Sequence, residues 1–323
     1  MIFLQTLAVI LIGSGLISST ALAEYTWEKE DGKHLDLRYK SRLVARYMFE
    51  AIDESSTERR EETYKPYCHI YQWSSQDHFI TKGAGGKFPH HRGIYYGFSK
   101  ISYTDEKGKA HANVDTWHCR KAHQVHREFL KMEADGASAH FTAKIDWIGD
   151  EGKPFAEELR TMHFTVVNSD VVVDFTSTLT PLVPLMKVDG DPQHAGFQFR
   201  ASNEVSERGT KSTYYIRPES GKGEPGATIN WSAKSDNETT RDLPWKGMSF
   251  TIEKKQYTVA YLDSPTNPKP ARFSERDYGR FGSYFAAEVS KEKPLKIAYR
   301  LIIREGEMEP DEIEALSAAF TKE

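Results

Sequence analysis

Met162-His163-Phe164-Thr165-Val166-Val167, a polar break at Asn168-Ser169-Asp170, then Val171 through Leu179: this stretch decides the fold class. Apolar side chains recur at every second position on both sides of a break of hairpin length, the pattern of two antiparallel strands buried on one face. The arrangement repeats at Met248 to Ile252 and Tyr257 to Leu262, around Glu253-Lys254-Lys255. Further segments at Ala139 to Ile148, Gly196 to Val205, Ala227 to Ser232 and Leu295 to Arg304 read as strands separated by Gly, Asn, Asp and Pro. No alternation of strand and helix appears, so an all-β antiparallel sandwich is predicted. Helix is expected only at the end, where Pro310 suits a first turn and Ile313, Leu316 and Phe320 share one face. The Glu and Arg run at Ser55 to Glu62 is read as a solvated excursion.

Lys+Arg 43 against Asp+Glu 47 leaves a net charge of -4 over 323 residues, which excludes a nucleic-acid binder held by bulk positive charge. Residues Ile2 to Ile17 are largely apolar, and Ala21-Leu22-Ala23 gives an A-x-A pattern before Glu24. This reads as a signal peptide over 1–23, leaving a single domain from Glu24 to Glu323 that is periplasmic or secreted and free of the membrane after cleavage. Export permits a disulfide between Cys68 and Cys119, worth about 4 kcal/mol in the loop-entropy picture; two buried thiols are the other reading. Cys68-His69 and His118-Cys119 are metal-capable dipeptides, but neighbours in a strand face opposite ways, so no zinc site is expected from them.

Eight of the 12 histidines fall between His69 and His126, where an even spread would put about two. The densest chemistry is Lys82-Gly83-Ala84-Gly85-Gly86-Lys87-Phe88-Pro89-His90-His91-Arg92-Gly93, with two imidazoles beside a guanidinium for acid/base work and anion binding. Asp115-Thr116-Trp117-His118 follows; a carboxylate near an exposed indole suits a sugar, one taking hydroxyls and the other packing on the ring face. His123 and His126 read as solvated surface. In the third cluster, period two puts Phe197, Phe199 and Ala201 on one face and His194, Gln198 and Arg200 on the other. Glu157 and Glu158 offer an acid or base, and Arg276-Asp277 offers either an ion pair or a ligand contact.

Three of these segments together resemble a known bacterial family: Pro89-His90-His91-Arg92-Gly93, Asp115-Thr116-Trp117, and Asn267-Pro268 running to Arg276-Asp277-Tyr278-Gly279-Arg280-Phe281-Gly282. The family carries the name methane oxygenase PmoA and is abundant beside sugar-processing genes. The name implies a copper membrane monooxygenase, which a mature chain without apolar spans does not fit, and that activity is set aside. The fold the resemblance implies is similar to the galactose-mutarotase-like β-supersandwich, with Leu295 to Arg304 as its closing strand. Sugars in such sandwiches sit on the concave sheet face, with histidine as acid and a carboxylate as base.

The expectation is therefore a carbohydrate-active epimerase, lyase or hydrolase. His90, His91, His194 and Glu158 are its catalytic candidates. Arg92, Asp115, Trp117, His118, Gln198, Arg200, Arg276 and Asp277 are candidates for holding a carbohydrate or other small-molecule ligand. No metal and no cofactor is assigned. A non-catalytic carbohydrate-binding sandwich and a metal-dependent enzyme are the alternatives.

Overall fold

In the computed structural model, which describes residues 24–75, 78–229 and 238–322, segment 162–179 forms a tight hairpin. Val167 pairs with Asp170, so the turn is Asn168-Ser169 alone, with φ of 51° and 76°. Those left-handed angles give the type I′ geometry whose twist matches the flanking strands. The strands run longer than the alternation suggested, Pro154–Val167 and Asp170–Pro181. The second predicted hairpin turns the same way on Glu253-Lys254, between Trp245–Ile252 and Lys255–Asp263.

These strands belong to a nine-stranded sheet. Its order is Gly221–Lys222, Tyr214–Arg217, Trp245–Ile252, Lys255–Asp263, Leu295–Glu305, Asp170–Pro181, Pro154–Val167, Ala139–Ile148 and His123–Ala134. An eight-stranded sheet faces it, ordered Tyr25–Glu30, His34–Tyr39, Arg42–Met48, Tyr67–Ile70, Ile94–Phe98, Ala195–Arg200, Arg280–Tyr284 and Arg272–Arg276. A four-stranded sheet of Ala287–Ser290, Leu185–Asp189, Lys100–Thr104 and Ala110–Val114 completes the strands. Phe197 from the eight-stranded sheet lies between Phe175 and Tyr299 of the other, at ring-centroid distances of 4.3 and 5.0 Å. Burial of one such ring is worth roughly 1.5–3 kcal/mol. The predicted all-β antiparallel sandwich with a short C-terminal helix is the fold observed.

The helix Pro310–Phe320 has proline in its first turn and lays Ile313, fully buried, on Trp245, Ala260, Leu262 and Ile302 of the nine-stranded sheet's outer face. Among the described residues no helix is long and apolar enough to cross a membrane.

Four readings change. The charged run contains a helix, Thr57–Thr63, because Ser56 Oγ accepts the Arg59 N–H at 3.2 Å while Arg59 pairs with Glu50, Asp53 and Glu62. The strand expected to reach Val205 stops at Arg200, and Val205–Gly209 forms a wide helical turn. No strand occupies 227–229, where the Ile229 N–H donates to the Glu275 carboxylate at 2.7 Å instead of to a ladder; 230–232 lie outside the described residues. His126 is not solvated surface: it lies on a strand, with ring centroids 4.6 Å from Phe49 and 4.4 Å from Phe129. The signal-peptide segment 1–23 lies outside the described residues. Both thiols are free and buried.

Candidate functional site

Strand Ala195–Arg200 alternates as its sequence demands. Phe197 and Phe199 enter the core, while Gln198 and Arg200 face outward beside Tyr95 and Arg280, their register partners on the neighbouring strands. Three loops lie over this outward face, at 82–93, 115–119 and 189–194, and each delivers one histidine. Ring centroids are 5.0 Å apart for His90 and His118, 5.4 Å for His90 and His194, and 4.7 Å for His118 and His194. One ring nitrogen from each lies within 4.8 Å of the others.

Two of the rings are set by the same local device. Asp115 Oδ1 accepts the backbone N–H groups of Trp117 and His118, both at 2.9 Å, and its Oδ2 takes His118 Nδ1 at 2.8 Å. Asp191 Oδ1 accepts the Gln193 N–H at 2.8 Å, and both its oxygens lie 3.1 Å from His194 Nδ1. The short side chain of aspartate closes the turn and reaches the imidazole three residues on. With Nδ1 donating to a carboxylate, Nε2 of each ring is left as the basic nitrogen. His90 Nε2 is buried and has no hydrogen-bond partner among the described residues.

Burial lowers the pKa of His90 to about 3, helped by the charges of His118 and Lys65, and burial lowers His194 against the pull of Asp191. Burial also raises Asp191, but the His194 hydrogen bond and charge override it and hold the carboxyl down at about 2. At neutral pH the centre therefore combines neutral rings at His90 and His194 with an ionised carboxylate at Asp191.

Five buried cations surround it, and none makes an ion pair with a carboxylate among the described residues. Lys65 Nζ donates to the carbonyls of His90 (3.2 Å) and Trp117, tying two of the loops together. Arg92 Nη1 donates to Pro89 (2.7 Å) and His91 (2.5 Å). Arg200 spans Gln198 Oε1 (2.8 Å) and the Gln193 carbonyl (2.7 Å), Arg280 reaches the Pro192 carbonyl at 3.3 Å, and Lys82 holds Gly83 at 2.8 Å. Burial moves Lys65 and Lys82 down to about 7 and Arg280 to about 10.

The structure thus gathers His90, His118 and His194 and reassigns the other candidates. His91 is buried and stacked on Phe88 at 4.9 Å. Arg92, Arg200 and Gln198 hold loop carbonyls and one another, with side chains buried rather than offered to a ligand. Trp117 is 2% exposed, covered by Tyr95 and by the Arg200 guanidinium, so it has no free ring face for a sugar. Asp115 is committed to its turn and to His118. Glu158 is fully buried, accepting two hydrogen bonds from Arg160 and one from Trp147 Nε1, all at 2.9 Å, and is no free base. Arg276 donates to its neighbour's carbonyl at 2.9 Å, and neither it nor Asp277 hydrogen-bonds the histidine loops. From that turn it is Tyr278 that reaches the site, 4.4 Å from the Phe88 ring and 5.9 Å from His91. Lys65, Asp191, Phe88 and Tyr278 went unassigned in the sequence; the repeated spacing Asp115-x-x-His118 and Asp191-x-x-His194 is a signal that could have found Asp191.

Fold and site together define an antiparallel β-sandwich with a three-histidine centre carried on surface loops. The chain belongs to DUF6807, a family of unknown function, which it matches over residues 34–318. That membership brings no activity with it, neither a methane oxygenase nor a sugar enzyme. Among curated proteins no match is found. Solved structures similar to the chain include a galactose mutarotase related enzyme from Lactobacillus acidophilus, at 10% identity and TM-score 0.40, covering 88% of this chain and 99% of that one. A GalM/aldose epimerase homologue from C. elegans is similar at 7% identity and TM-score 0.33, over 88% and 100%. The galactosidase domain of alpha-galactosidase-sucrose kinase is similar at 9% and 0.40, over 87% of this chain and 42% of that one. Likenesses this distant say nothing of activity or of site residues.

Proposed function

We propose that this chain is an exported carbohydrate-active enzyme, its leader 1–23 removed, that moves a proton on a sugar or oxidised glycoside at the point where His90, His118 and His194 converge. One observation carries the reading: three part-buried imidazoles, two of them oriented by carboxylates, converge, and the part-buried Phe88 and Tyr278 rings connect to them through His91, which meets His90 at 4.5 Å. The aromatic pair supplies the apolar platform first expected of Trp117, against which a pyranose ring face can lie. A ring that is neutral at pH 7 has a lone pair to offer, and the Asp191 carboxylate behind His194 supports that ring's basicity against the burial that lowers it.

The test is incubation of the purified chain with libraries of sugars and 3-keto-sugars, reading product masses and solvent deuterium uptake. His194→Ala is expected to lower turnover about 10²- to 10⁴-fold with the fold intact. Full turnover in that variant refutes the assignment, and sugar binding with no product after long incubation establishes a binding module instead.

A further inference from the structure

We propose that His90, His118 and His194 form a binding site for one divalent transition-metal ion, with zinc its simplest occupant and Asp115 and Asp191 the carboxylates that fix the ligands. The inference rests on the reading above only in taking this group as the working centre.

Geometry comes first. Three nitrogens about 2.0–2.1 Å from a tetrahedral zinc lie about 3.4 Å apart. One nitrogen from each ring already lies within 4.8 Å of the others, so closure needs a shift on the order of 1 Å per ring. Orientation comes second. A metal-bound imidazole usually donates its other N–H to a carboxylate or carbonyl, which fixes the tautomer and strengthens the donor nitrogen. His118 and His194 both do this, through Asp115 at 2.8 Å and Asp191 at 3.1 Å. One such pair is ordinary acid/base chemistry, but two aimed at one spot beside a third histidine are a ligand set. Third, His90 Nε2 is buried with no partner among the described residues, a cost that a bound cation removes.

Charge acts both ways. Asp115 and Asp191 place two carboxylates behind the ligands, which offset a divalent ion, while the buried Lys65, Arg200 and Arg280 cations oppose it. The side chains of His118 and His194 are 23% and 22% exposed, so the centre is reachable from solvent. Three protein ligands with one open position is the catalytic rather than the structural arrangement, and it lowers the pKa of a bound water towards 7. With such an ion bound, a metal-bound water or substrate hydroxyl would carry the proton in the reaction proposed above, and His90, His118 and His194 would serve as its ligands rather than as bases. The other cluster of this kind among the described residues, Asp105, His111 and Glu151, brings a single imidazole, and its carboxylates are already engaged: Asp105 accepts the Lys107 and Lys109 N–H groups at 2.9 Å and Glu151 pairs with Lys109.

The experiment uses the chain purified without an affinity tag, stripped with chelator and titrated with zinc or cobalt(II) in the absence of any sugar. Expected are one equivalent of zinc by elemental analysis and a cobalt d–d band of four- or five-coordinate form. His118→Ala and His194→Ala should weaken binding at least 100-fold, Asp115→Asn and Asp191→Asn 10- to 100-fold, and His111→Ala should leave it unchanged. Melting of each metal-free variant checks the fold, and His194→Gln serves if the alanine variant is unstable. Zinc below about 0.1 equivalent in the intact chain, or undiminished affinity in the His118→Ala/His194→Ala double variant, overturns the proposal. Failure here with lost turnover in His194→Ala leaves bare-imidazole catalysis standing; zinc bound without any sugar turnover leaves the metal site standing and removes the substrate reading.

Discussion

Replacing Glu158 by glutamine should cost this protein its stability rather than its chemistry. The Glu158 carboxylate is fully buried between the sheets and accepts from Arg160 Nε, Arg160 Nη2 and Trp147 Nε1, each at 2.9 Å. Arg160 is itself 2% exposed, with longer contacts to the Pro66 carbonyl (3.4 Å) and Gln124 Oε1 (3.3 Å). Glutamine keeps the volume but removes the charge and replaces one acceptor oxygen by a donor, leaving a buried guanidinium without its counter-ion. Breaking a buried pair from one side costs about 3–5 kcal/mol. With an unfolding entropy of about 2.1 cal/mol/K per residue, roughly 300 residues give about 0.6 kcal/mol/K, so Tm should fall by about 5–8 °C. Thermal melts by circular dichroism measure this, with Trp147 fluorescence as a local reporter. A Glu158→Gln variant that melts with the wild type, or that melts normally while losing all turnover of a sugar substrate, refutes the structural assignment and returns Glu158 to the list of bases.

Three further outcomes are expected. Burial holds His69 at about 3 and His126 at about 4, both below the unfolded value near 6.5, so the unfolded chain binds more protons as the medium is acidified. Stability should therefore be intact above pH 6.5 and fall between there and pH 4 by up to about 1.4 kcal/mol per unit for each ring; denaturant midpoints across that range check it, and a flat profile contradicts it. Cys68 and Cys119 are free and buried, and burial pushes the Cys119 thiol up to about 11, so neither should react with a thiol reagent at pH 8 until the chain is unfolded, when two should. Ile313→Ala should lower stability by about 2–5 kcal/mol, measured by urea titration, since the residue is fully buried where the terminal helix meets the sheet.

The strands were legible because their determinants are local. Alternation through Val171, Val173 and Phe175 fixes which face is buried, and Asn168-Ser169 takes the positive φ that the hairpin needs. The helix after Ser56 was equally local, yet its cap was hidden in a run of charges that pair with one another. The site was legible only in part. Which residue types cluster there could be read, but whether Arg200 meets a ligand or the Gln193 carbonyl depends on how the loop before its own strand folds back over it, and alternation along the strand does not encode that. Trp117 misled for a related reason: an Asp two residues before an indole also describes a turn in which the carboxylate caps backbone N–H groups and turns the ring inward. The repeated Asp-x-x-His spacing was visible, but its two copies lie on different loops, and only the sheet between them brings the rings together.

Those buried cations explain how loops can hold a centre that demands precision. Loops carry mobile backbone, and a ligand set displaced by an ångström loses most of its use. Here the loops are fixed from below by long side chains rooted in or next to strands: Lys65, two residues before Tyr67–Ile70, Arg200 on Ala195–Arg200 and Arg280 on Arg280–Tyr284. Each donates to carbonyls within two residues of a histidine of the centre, or to that histidine's own carbonyl. A guanidinium suits this work because its donors are held in one plane and can reach two acceptors at once, as Arg200 does. Burying cations without carboxylate partners is expensive, and Lys65 shows it in a pKa driven down to about 7. The cost falls on the elements that set the positions of His90, His118 and His194, which is where a protein concentrates strain when the geometry of a centre has to be kept.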